Sequence, residues 1–200
     1  MARKAGDNKR ERILDAAVVE LARQGYYQTT IAKIAARAGV ADGTIYLYFK
    51  NKEELLLRLF ERAMERFIRE GRERLDEVAT AREKLARIVE LHLSLVGEDR
   101  DLAIITQVEL RHSLHFMAHL SRTLVGEYLD VLGRVIVQGQ EEGSFRRDLE
   151  PAFAAKAVFG VLDEMATDWV LSRRNTRLAG RAPGVTDFLL SGLSQPDPAD

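Results

Sequence analysis

Two stretches of the chain hold residues whose types and spacing could do chemistry. In residues 31–49, Gly39 can adopt the left-handed backbone that a tight turn between two short helices requires, and Val40 offers an apolar plug at the corner. The helix after that turn begins near Gly43, which has no side-chain bulk, and carries Tyr46, Tyr48 and Phe49, of which only some rings can face inward. Lys50 and Lys52 follow directly. Helix, glycine turn and second helix form a helix-turn-helix, in which the second helix enters the major groove of DNA while the first crosses the backbone. Gly43 then permits close approach, and the two lysines suit phosphates. A three-helix bundle with a glycine turn and no nucleic-acid partner would show the same pattern.

The second stretch holds His112, His115 and His119, with Glu109 completing Glu-x-x-His. Di-metal helical bundles need that motif on two helices, and it occurs once here, because the remaining histidine, His92, has Val89 three residues before it. Three imidazoles and a water could hold zinc, but a helix break near residues 114–118 would spoil their alignment. No metal is expected. The histidines are read as lining a polar part of a pocket or lying on the surface.

Whole classes of chemistry are excluded. The chain has no cysteine, so disulfides, thiolate metal sites and thiol catalysis are ruled out together. It contains no Gly-x-Ser-x-Gly and no glycine-rich phosphate loop, and no catalytic residue is assigned. Hydrophobic residues at 46% and charged at 30% describe an ordinary globular protein. No apolar run approaches membrane-spanning length, and the opening MARKAGDNKRER is unlike a secretory signal. A cytoplasmic protein without membrane contact is expected. The net charge of −1 hides an asymmetry. Residues 1–52 hold ten Lys/Arg against five acids, a net of +5, and the remaining 148 carry −6. A basic head on an acidic body points to a polyanion partner for the head, or to a solvated charged helix with a basic tail.

Nearly every segment has helical periodicity. Ile13, Leu14, Ala17, Val18 and Leu21 form one stripe, with Asp7 or Asn8 as cap and Gly25 as stop. Thr29 or Thr30 can cap a second helix ending at Gly39, and Asp42 or Gly43 opens a third through Phe49. Asn51 and Glu54 begin a fourth of roughly 27 residues. Helices capped by Thr80, started by Asp99 or Asp101 (to about His112), running from about His119 to Glu142, and opened by Pro151 and Pro183 complete the chain. The expected class is all-α, about nine helices. A helix-turn-helix domain over 1–51 precedes a helical effector-binding and dimerisation domain over 52–200.

The wording TTIAKIAARAGVADGTIYLYFKNKEELL closely resembles the DNA-binding region of TetR-family transcriptional repressors, without gaps over roughly residues 10–56. The resemblance implies a homodimer that binds palindromic double-stranded DNA through its N-terminal helices and a small effector through its C-terminal body. By position, Thr29 and Thr30 correspond to hydroxyls on phosphate. Gly43, Thr44, Leu47 and Tyr48 correspond to the groove-facing side, and Tyr46 holds phosphate or packs beside it. Lys50 and Lys52 would clamp the backbone, while Ile45 and Phe49 pack inward. Ala41 and Asp42 depart from the family's usual hydroxyl or basic residues. Asp42 could accept from a cytosine amino group or cap the helix, and the cap is favoured.

Within the family, VADGTIYLYFKNKEELL is similar to FadR-like fatty-acid degradation repressors, which implies long-chain acyl-CoA as effector and no cofactor. An acyl tail needs a long apolar tunnel. Met64, Phe67, Leu95, Ile105, Val108, Phe116, Phe159, Leu162, Met165 and Trp169 could line one, or merely close a helical core. Arg111, His112 and His115 are taken as its polar lining, and Arg111, Arg122 and Arg134 as candidates for coenzyme A phosphates. Burying about a dozen methylenes at ~0.8 kcal/mol each gives a gross ~10 kcal/mol before ordering costs. Small and aromatic residues along Ala154, Ala155, Ala157, Val158, Gly160, Val161 and Trp169, with Val185, Phe188 and Leu189, suit close approach of a second copy. The alternatives are a repressor answering another hydrophobic molecule, a helical acyl-CoA or metal-dependent enzyme, and a DNA binder without sequence preference.

Overall fold

The computed structural model describes residues 2–109, 124–172 and 176–195. Among them are nine α-helices and no strand. They are α1 (Ala2–Gln28), α2 (Ile31–Ala38), α3 (Asp42–Tyr46), α4 (Lys52–Leu75), α5 (Ala81–Glu98), α6 (Arg100–Gln107), α7 (Leu124–Glu141), α8 (Pro151–Leu171) and α9 (Ala182–Leu193). A 3₁₀ turn at Leu178–Arg181 precedes α9. No helix among the described residues is long and apolar enough to cross a membrane.

Local chemistry sets most of these boundaries. Gly25 interrupts α1 with φ 76 and ψ 166, a non-helical geometry, so the regular helix stops where the glycine was expected to end it. The start differs from expectation: the helix already runs at Ala2, so neither Asp7 nor Asn8 is its cap. Thr30 is the cap of α2, its hydroxyl accepting from Lys33 N–H, and Gly39 closes that helix at φ 64. Asp42 lies inside α3. The N-cap is Ala41, which has no side-chain bond, so Asp42 supports the helix only as an acid in its first turn. α3 ends at Tyr46 rather than Phe49. Asn51 Oδ1 accepts from Glu54 N–H at 2.7 Å at the start of α4. Thr80 and Glu83 form a reciprocal capping box on α5.

The chain divides into two compact units. The first gathers the described residues of Met1–Ala63 and Arg100–Met117. Its core is Ile13, Leu14, Ala17 and Leu21 of α1, Ile34 and Ala35 of α2, Ile45 of α3, Phe49, and Leu55, Leu56 and Leu59 of α4, all essentially without solvent contact. α6 packs on α1. Arg12 donates to Ala38 O at the end of α2, and Arg37 pairs with buried Glu20 of α1. Several cations of the basic head are therefore committed to holding helix ends together.

The second unit gathers Met64–Asp99 and Ala118–Asp200. Leu85, Ile88, Val89 and Leu93 of α5 meet Leu132, Val135 and Ile136 of α7, Ala154, Val158 and Leu162 of α8, and Leu189 of α9. At one point this core depends on a missing side chain. A Cβ on Gly139 would lie 2.0 Å from the ring of Phe145, which is buried.

Candidate functional site

α3 is a single short helix held by an inward face and presenting an outward one. Ile45 and Phe49 are buried as expected, with Arg10 lying over the Phe49 ring at 5.7 Å. The opposite face exposes Gly43 and Tyr46, and Leu47, the residue that caps the end of α3, is 81% exposed. Nothing lies within 4 Å of where a Gly43 Cβ would be, so the helix can be approached closely there. Thr44 and Tyr48 are half-buried, and Lys50 is exposed. Burial of Ile45 and Phe49, worth about 1.5–3 kcal/mol each, fixes which face looks outward. That face is aromatic, aliphatic and free of acid beyond Asp42 in the first turn.

Two expected phosphate contacts are placed elsewhere. Thr29 is 1% exposed, and its hydroxyl donates to the carbonyls of Gly25 at 2.9 Å and Glu20 at 3.0 Å. That single hydroxyl hydrogen, shared between two carbonyls of α1, is turned into the protein, so exposed Thr30 is the hydroxyl left at the surface. Lys52 is likewise drawn inward. Its Nζ donates to Tyr26 O and, at 2.8 Å, to Thr29 O, and sits 4.2 Å from the Tyr26 ring centroid. Partial burial lowers its pKa. Lys52 thus ties the start of α4 to the end of α1.

Tyr27, 77% exposed, was not singled out by the sequence. It stands edge-on to Tyr26 at 5.5 Å, just after the Gly25 break, and that break was the available signal. Glu109 also has a different role from the one its motif suggests, because its carboxylate accepts Tyr26 N–H at 2.7 Å. His112, His115, His119, Arg111, Phe116 and Arg122 lie outside the described residues.

The expected tunnel residues divide into several groups. Ile105 and Val108 belong to the first unit, Ile105 fully buried in α6. In the second unit, Phe67 and Phe159 flank Tyr128, at 4.9 and 5.8 Å between ring centroids. Leu162 is fully buried nearby in α8, and Met64 and Leu95 are half-buried. Trp169 has a structural role, its indole N–H donating to Thr176 O at 2.7 Å. Met165 faces another way. It lines a mostly apolar surface groove with Gly160, Val161, Glu164, Val185 and Phe188, with Phe188 67% exposed. Of the residues expected at a pairing surface, Ala154, Ala155, Val158 and Leu189 are buried within the chain. Arg134 is exposed in a hollow between α7 and α8 where it and Lys156 face three acids, Asp130, Glu141 and Glu150, a net negative setting.

His92 completes the aromatic cluster. Its ring lies 5.3 Å from Phe67, its Nδ1 is 3.1 Å from the Tyr128 hydroxyl, and its Nε2 is buried without a partner. Burial lowers the imidazole pKa from 6.5 to about 4 and raises that of the Tyr128 phenol, so both groups are neutral.

The comparisons agree with this arrangement. Residues 13–59 match the family described as bacterial regulatory proteins, tetR family, and residues 60–192 match the C-terminal region of YsiA-like proteins. The fatty acid metabolism regulator protein of Bacillus subtilis is 43% identical over 182 residues, 90% of this chain and 93% of that one. The crystal structure of FadR from Bacillus subtilis in complex with stearoyl-CoA superposes with a TM-score of 0.86 at 41% identity, covering 92% of this chain and 98% of that one. FadR from Bacillus halodurans, a fatty acid degradation regulator, gives 0.87 at 40%, covering 92% and 96%. With residues 13–192 matched by the two family regions and the α3 face presented outward, the chain belongs to the TetR family of transcriptional regulators.

Proposed function

We propose that the chain is a repressor of fatty-acid degradation genes that binds a palindromic operator as a homodimer and is released by long-chain acyl-CoA. The observation that carries the DNA reading is the outward face of α3. Gly43, Tyr46 and Leu47 are exposed above buried Ile45 and Phe49, with Lys50 beside them. Leu47 suits apolar contact with a thymine methyl. Thr30 and Lys50 are the surface groups for phosphate. The apolar groove of α8 and α9 around Phe188 favours a second copy. A two-fold pair would present α3 to half-sites about one turn, ~34 Å, apart or a multiple of it.

The effector reading draws on the stearoyl-CoA complex of the Bacillus subtilis relative and on the aromatic interior of the second unit. An acyl-CoA can shift the DNA-binding equilibrium only by its difference in affinity between the operator-bound and released forms. The test is a gel shift on the DNA upstream of the chain's own gene, with and without C12–C18 acyl-CoA. A specific band that stearoyl-CoA abolishes supports the reading. No band at low salt removes DNA binding, and a band indifferent to acyl-CoA of any length removes the effector.

A further inference from the structure

Among the described residues, one buried side-chain atom lacks a hydrogen-bond partner, and it belongs to His92. The side chain is buried in α5 with Phe67 edge-on to its ring and Tyr128 on its Nδ1. Nε2 is buried and has no hydrogen-bond partner among the described residues. Two tautomers are possible for the pair. If Nδ1 carries the proton and donates to Tyr128, the phenolic hydrogen and the Nε2 lone pair are both left unused. If the phenol donates to Nδ1, only one group, the Nε2–H, is left without a partner. The second arrangement leaves fewer groups unsatisfied and makes Nε2 a donor. A buried donor without an acceptor carries the full desolvation cost of the group, which an incoming oxygen would relieve.

The surroundings select that oxygen. Phe67, Tyr128 and Phe159 bring their rings together beside His92, a wall suited to hydrocarbon and unsuited to charge. On a long saturated acyl-CoA, a single neutral acceptor is joined directly to the hydrocarbon: the thioester carbonyl. We propose that His92, oriented by Tyr128, donates a hydrogen bond from Nε2 to the thioester carbonyl oxygen of the bound acyl-CoA. The contact rests on the acyl-CoA reading of the preceding section. It would let the site recognise where the apolar chain begins, in addition to its length.

Calorimetric titration of the full-length protein with stearoyl-CoA and with S-octadecyl-coenzyme A tests this. In the second ligand a methylene replaces the carbonyl at equal chain length. The wild type should bind the thioester about tenfold more tightly, the usual size of one net hydrogen bond in a dry site. His92→Phe, which keeps a flat ring in the cluster, should bind both ligands alike, near the thioether's affinity. His92→Gln, which can still donate, should recover part of the difference. Equal wild-type affinities overturn the assignment even if the variants fail to fold. A tenfold preference that survives His92→Phe also overturns it. Binding of neither ligand overturns the acyl-CoA reading, and this contact with it.

Discussion

Lys50 and Lys52 lie two positions apart in sequence, yet the structure places their ammonium groups differently. Lys50 is exposed beyond α3, whereas the Lys52 ammonium is committed to the Tyr26 and Thr29 carbonyls and the Tyr26 ring. Replacing each with Met separates the roles. In a dimer, Lys50→Met removes two phosphate contacts. At a slope of about 0.9 per contact in log K against log salt, the salt dependence should fall by roughly 1.8. Between 50 and 200 mM salt that amounts to a loss of affinity about tenfold smaller than in the wild type. Lys52→Met should leave the slope unchanged. It uncovers two carbonyls and one cation–π contact at a half-exposed site, so it should destabilise the first unit by about 1–2 kcal/mol. Operator binding measured by fluorescence anisotropy over a salt series, with thermal melts of both variants, gives both quantities. A slope that falls equally in the two variants, with no loss of melting temperature in Lys52→Met, would refute the assignment of Lys52 to the end of α1.

Other outcomes follow from named contacts. His92 resists protonation in the folded chain, at about 4, against 6.5 when exposed. Its contribution is therefore complete above pH 6.5 and is lost as pH falls towards 4, by up to about 3 kcal/mol. Denaturant titrations across that window should show a steeper decline for the wild type than for His92→Phe; parallel curves would contradict the burial. Gly139→Ala forces a methyl to 2.0 Å from the buried Phe145 ring, and should cost about 1–3 kcal/mol or more, read as a drop in melting temperature. Phe188→Glu replaces the exposed ring with a second carboxylate in the groove that Glu164 already lines and should convert a dimer to a monomer in light scattering. An unchanged mass would move the pairing surface elsewhere.

What could be read from the sequence was local. Gly39, the Thr80 cap and the inward placement of Ile45 and Phe49 follow from residue type and spacing within one or two turns, and all appear as expected. Thr29 and Thr30 could not be told apart, because their difference lies in the backbone after the Gly25 break, which turns one hydroxyl toward two carbonyls. The inward position of Lys52 is hidden for a related reason: its partners lie 26 and 23 residues earlier, and no periodicity carries that information. Glu109 caps a backbone amide 83 residues away, although its neighbours suggested a ligand motif. The cluster of Phe67, His92, Tyr128 and Phe159 draws one side chain from each of four helices. Phe67 and Phe159 were legible as candidates for an apolar interior, but Tyr128 and the meeting of the four rings were not.

On the proposed function, α3 reads DNA twice, in a symmetric pair, and lets go when an acyl-CoA fills the second unit. Hydroxyl-radical footprinting of the upstream fragment at fixed salt, with and without stearoyl-CoA, addresses both halves together. Two mirrored stretches of protection, centred ~34 Å or a multiple of that apart and both erased by stearoyl-CoA, are the predicted result. A single unsymmetric stretch, or paired protection that persists at saturating stearoyl-CoA, would contradict it.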